Sequence, residues 1–115
     1  MNTQKIKQLI LDKLKKEESC LKDLILKIDE QKKIIKTKDK NRIFDIIEEK
    51  NSLIEIFKNL EEEVDAQLEL LPQGEIQNLV EKGEVLKTSI EKLLKKIIMM
   101  EEECEVEIGS NMQEI

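Results

Sequence analysis

From Ile10 to Ile35 the apolar residues recur in steps of four and three. Ile10, Leu14, Leu21, Leu24, Ile28 and Ile35 occupy the seam, and Glu17 and Gln31 fill its two remaining positions. That spacing keeps one face of an α-helix apolar and predicts a first helix over residues 4–36. Leu11 and Ile25 widen the stripe, which suits a multi-helix bundle better than a two-stranded zipper. The polar run Thr37-Lys38-Asp39-Lys40-Asn41 breaks the pattern, and Asp39 is the best N-cap for a second helix. That helix is predicted over residues 40–70, with Ile43, Ile47, Lys50, Ile54, Phe57, Glu61, Val64, Leu68 and Leu71 in its four–three series. Ile46, Leu53 and Leu60 form a neighbouring row, and two rows predict a helix that touches two partners. Leu71-Pro72-Gln73-Gly74 is the clearest break: Pro72 disfavours helical geometry at Leu71, and Gly74 tolerates a left-handed turn. A third helix is predicted over residues 75–108, on Ile76, Leu79, Gly83, Leu86, Ile90, Leu93, Ile97, Met100 and Cys104. Gly83 would permit close approach on that seam, and Gly109 would end the helix before a frayed tail over 110–115.

The pattern therefore predicts an all-α fold in one domain over residues 1–109. Its architecture would be three long amphipathic helices, an antiparallel hairpin plus a third helix, in a coiled-coil-like bundle. The link at 37–41 admits either a tight turn or a kink in one continuous helix. Composition agrees. Charged residues make up 40% and hydrophobic ones 39%, with two Phe and no Trp or Tyr. Such a chain must bury its apolar surface along helix seams.

Charge separates the two readings of the link. Residues 1–38 carry 11 Lys against 6 Asp/Glu, a net of +5, whereas residues 39–71 net −6 and residues 72–115 net −5. A tight turn lays the basic helix along an acidic one. The single Arg and the absence of an aromatic platform argue against a nucleic-acid partner. No stretch reaches the roughly 18 uninterrupted apolar residues of a membrane span, and no signal peptide is visible, so a cytoplasmic protein without membrane insertion is expected. Cys20 and Cys104 are then free thiols, roughly 20 Å apart if the first and third helices run parallel.

Chemistry is sparse. There is no His to act as a base near neutral pH, no Gly-rich phosphate loop, and no nucleophile motif around Ser19, Ser52, Ser89 or Ser110. Glu61-Glu62-Glu63 and Glu101-Glu102-Glu103 read as solvated helix faces. No catalytic residue, cofactor or metal site is expected. Glu17 and Lys50, on their seams, read as register-setting or snorkelling groups.

What stands out is excess apolar surface. Ile97-Ile98-Met99-Met100 covers every side of a helical turn, and Ile43, Phe44, Ile46, Ile47, Leu53, Ile54, Ile56 and Phe57 wrap more than one face of the second helix. A partner-binding strip is expected on the third helix, made of Ile90, Leu93, Leu94, Ile97, Ile98, Met100 and Cys104. It would accept either an amphipathic helix in a groove or a second copy of the chain.

Residues 6–70 also carry a pattern with a family likeness. Leu14, Glu17, Glu18, Leu21, Leu24 and Leu26 are followed by Gln31-Lys32-Lys33-Ile34-Ile35-Lys36 and Lys38-Asp39. Then come Ile43, Ile46, Ile47, Glu49-Lys50, Leu53-Ile54 and Leu60-Glu61. This order resembles the helical hairpin of the FlgN-type flagellar export chaperones of bacterial type III secretion. The FliT-type chaperones of the same system share the small helical design. The resemblance implies a non-catalytic chaperone that binds the amphipathic C-terminal helices of hook-associated or filament-cap subunits. It would deliver them to the export apparatus, with the third helix as the client-binding element. The alternative is a structural or adaptor coiled coil that homo-oligomerises through the same apolar surface.

Overall fold

The computed structural model describes residues 2–113, with side chains placed through residue 106. The fold is all-α, and no strand occurs among the described residues. Helix α1 spans Thr3–Thr37, α2 spans Lys40–Glu69 and α3 spans Gln73–Gln113.

The link after α1 is a tight turn. Lys38 adopts a left-handed conformation (φ 61°) and donates its backbone N–H to Ile35 O at 3.2 Å. Asp39 then caps α2, its carboxylate accepting from the Arg42 N–H at 3.2 Å. Two ion pairs fix the direction of α2: Lys13 with Glu63 and Lys27 with Glu49. As α1 advances α2 recedes, so the two helices are antiparallel. The basic helix lies along the acidic one, as its charge demanded.

The second turn departs from expectation. It uses no left-handed glycine: α3 starts at Gln73, and Gly74 sits inside its first turn without a positive φ. Pro72 supplies the start instead, its fixed φ suiting a helix N-terminus and its carbonyl accepting from the Glu75 N–H at 2.9 Å. Helix α3 also runs through Gly109 to Gln113, past the expected end at residue 108 and into the expected tail. A single glycine costs a helix interior about 1 kcal/mol, which a long helix absorbs; residues 114–115 lie outside the described residues. Helix α3 returns parallel to α1. Lys7 reaches Asn78 and Glu75, and Lys32 reaches Glu103, so α3 follows α1 at an offset of 71 residues. Cys104 is thus level with residue 33, about 20 Å along the axis from Cys20. Both thiols are free and buried.

The bundle measures 59 × 21 × 17 Å, and its spine is α1 rather than the expected α2. Helix α1 packs against both neighbours, while α2 and α3 meet only sparsely. Ten α1 residues are buried, but on α2 only Ile46, Lys50 and Val64 are. One apolar row of α2 packs on α1; the other has no third helix seated against it. The core forms two clusters. Leu21, Leu24, Ile28 and Ile35 pack with Ile90, Ile97 and Cys104, and Ile6 and Ile10 pack with Val64, Leu71 and Leu79. Glu17 lies between the clusters on α1.

Gly83 is not required for close packing. A Cβ there would meet only Leu11 Cδ2, at an ordinary contact distance of 3.5 Å. Gly83→Ala is expected to stabilise the fold by about 0.5–1 kcal/mol through helix propensity, read as a higher urea midpoint at unchanged slope.

Candidate functional site

Because α2 and α3 flank α1 without closing on each other, they leave a groove between them. Its floor is Leu21 and Leu24 of α1. One wall is Ile47, Asn51, Ile54 and Phe57 of α2, and the other is Leu94 and Ile97 of α3. The groove encloses about 360 Å³ and is mainly apolar. Its α2 wall, Ile47, Ile54 and Phe57, belongs to the seam row of that helix and is half-buried.

A polar bridge stands at one end. Lys50 of α2 is 8% exposed, donates to Gln31 Oε1 of α1 at 2.7 Å, and pairs with Glu101 of α3. These three side chains tie all three helices at one level. Lys50 is therefore a buried cross-link rather than a snorkelling group. A buried, charge-assisted contact of this kind fixes register because no slipped alignment pairs the ammonium again.

One turn of α1 before Leu21 stands Glu17, only 4% exposed. Its carboxyl makes no hydrogen bond or ion pair among the described residues; Glu61 and Asp65 of α2 face it instead. Burial first, then the repulsion of these two carboxylates, pushes its pKa up to about 7. Nearby, Cys20 donates to Leu53 O at 3.2 Å, and burial raises the pKa of its thiol, which favours the unreactive protonated form.

The expected strip on α3 divides in three. Ile90, Ile97 and Cys104 are core, packed with α1, and of the three Ile97 also lines the groove. Leu93, Leu94 and Met100 are half-buried against that core. Ile98 alone is exposed, at 58%. The physical reason is burial: Ile90 and Cys104 face α1 and are covered by it, which takes them out of any free surface. Leu94 and Ile97 still reach the groove edge-on. Sequence alone shows the α2 wall residues Ile47, Ile54 and Phe57 and the floor residues alike as seam, with no sign that they share one groove. Lys7 is a further buried polar residue that the reading from Ile10 onward missed: it is 4% exposed and pairs with Glu75 and Asn78. The four–three spacing extended one step back from Ile10 lands on Lys7 and on no other lysine of α1, which is the signal that could have found it.

Among the described residues, no group of three or more Cys, His, Asp or Glu could hold a metal ion, and no helix is long and apolar enough to cross a membrane. The chain matches no protein-family model, no curated protein and no solved structure.

Proposed function

We propose that this chain is a non-catalytic binding protein that receives one amphipathic helix in the groove between α2 and α3, completing a four-helix bundle. The observation that carries this reading is the α2 wall. Ile47, Ile54 and Phe57 face an opening whose floor is already core, and α3 does not close it. An entering helix would lay its apolar face on that surface, the mode by which grooves recognise helical segments. In its most specific form the protein is a cytoplasmic export chaperone of the FlgN type. Its clients would be the C-terminal helices of flagellar hook-associated or cap subunits, handed on to the export apparatus. Supporting this are the hairpin resemblance over residues 6–70, the capped turn at Asp39 and the acidic surface of α2 and α3.

A second reading, a structural coiled coil that homo-oligomerises, draws on apolar residues outside the groove. Leu26 (67% exposed), Phe44 (66%), Met99 (61%) and Val106 (68%) lie on outer faces. Native mass spectrometry of the purified chain, alone and with C-terminal peptides of hook-associated and cap proteins, separates the two. The chaperone reading expects a 1:1 complex with one such peptide, weakened at least about tenfold by Leu94→Asp on the groove wall. A homodimer that ignores every peptide would establish the structural reading in its place.

A further inference from the structure

We propose that the outer face shared by α1 and α3 seats a second copy of this chain, antiparallel to the first about a two-fold axis that passes between Met99 and Met100. This face shares no lining residue with the groove, so the inference goes beyond the reading above and holds whatever fills the groove.

Excess apolar surface gathers here. Leu26 of α1 and Met99 of α3 are 67% and 61% exposed. With the half-buried Ile25 and Met100 they form the apolar part of a trough of about 490 Å³. Two turns along α3 from Met99, the exposed Val106 continues the face. The bundle itself has no use for these side chains, because α1 and α3 already meet through Ile28, Ile97 and Cys104.

The charges around the trough select its occupant. Asp29 and Glu103 balance Lys32 and Lys96, so the face is neutral on a chain whose net charge is −6. A second copy meets no net repulsion there, and a strongly charged partner finds no net attraction. The order of charges along α3 is also self-complementary. Lys96 and Glu103 stand equally far, about one turn, on either side of the midpoint between Met99 and Met100. An antiparallel copy centred there brings Lys96 to the partner's Glu103, twice over, and packs methionine on methionine between the two pairs. Leu93 and Val106 are equidistant in the same way, about two turns out, and would meet across the axis. A parallel copy would instead set like charge on like charge. Lys96 has no ion pair among the described residues, and Glu103 uses one carboxylate oxygen on Lys32 and keeps the other. A face about 20 Å long and two helices wide is small for a dimer, which sets a dissociation constant on the order of 10 μM.

Sedimentation equilibrium of the full chain at up to about 100 μM tests this. The wild type should approach twice the 13.5 kDa of one chain. Met99→Asp, at an exposed position, should raise the dissociation constant at least about tenfold while helix content by circular dichroism stays unchanged. Lys96→Glu should weaken the dimer about fivefold, and adding Glu103→Lys should restore it to within about twofold, because the antiparallel copy pairs the reversed charges again. A chain that stays monomeric, or a dimer that Met99→Asp leaves intact, overturns the inference and leaves the groove reading untouched. A dimer that Met99→Asp dissolves but the double reversal does not restore overturns the antiparallel arrangement. If Met99→Asp instead abolishes peptide binding by a monomeric chain, a client helix occupies the trough and the inference falls.

Discussion

Ile28→Ala is expected to lower the unfolding free energy by about 3–4 kcal/mol, measured as a fall in urea midpoint by far-ultraviolet circular dichroism. Ile28 is 0% exposed and sits in the larger cluster, on the one helix that packs against both others. Removing its side chain takes away buried apolar surface and leaves a void at the point where the helices depend on the spine. The bundle is at most 21 Å across its two short axes, so few layers of side chains surround that void to share the loss. A small domain has roughly 5–15 kcal/mol to lose. Ile56→Ala, on the outer face of α2 and 50% exposed, should shift stability by less than about 0.5 kcal/mol. Equal effects at the two positions would mean that α1 is not the spine.

The second large effect concerns pH. Glu17 has its pKa raised from 4.5 to about 7 by burial and by Glu61 and Asp65. An acid whose folded value lies above its unfolded value binds more protons when folded throughout the interval between them. Its contribution to stability is therefore greatest in acid, falls as pH rises from about 4.5 through about 7, and stays low above that. The wild-type chain should accordingly melt at a higher temperature near pH 5.5 than near pH 8, roughly the reverse of the usual acid-sensitive slope. Glu17→Gln should remove this slope and stabilise the protein by about 2 kcal/mol above pH 7. That figure stays below the full shift because Glu61 and Asp65 are exposed and water screens their repulsion. The opposing carboxylates act in a different window. Glu30 is held below the usual carboxylate range by its hydrogen bond from Arg42, and Glu49 by its bond from Lys27, so both lose their favourable pairing only as pH falls below about 4.5. A flat melting profile between pH 5.5 and 8 in the wild type would show that Glu17 is not held in the seam as described.

Glu17 thus costs the protein stability at neutral pH.

The number of helices, their type and the hairpin were legible in the sequence. They rest on local rules: a four–three apolar spacing, a capping aspartate, a proline break, and opposite charge on successive segments. The polar seam positions Glu17, Gln31 and Lys50 were legible as exceptions but not as partners. Periodicity places a residue on a face without saying which helix that face meets, so Lys50 bridging to Gln31 and Glu101, and Glu17 facing Glu61 and Asp65, emerge only when three helices come together. The same limit displaced the expected binding strip. Ile90, Ile97 and Cys104 fall on the α3 seam because they are core. The groove is instead walled by Ile47, Ile54 and Phe57 of the α2 seam, left open because α3 leans on α1 and not on α2. Sequence determined that this protein is three long amphipathic helices with more apolar surface than one seam uses. Only the packing decided that α1 would be the spine, because pairing energies between non-local faces are settled by the assembled bundle and by no single helix.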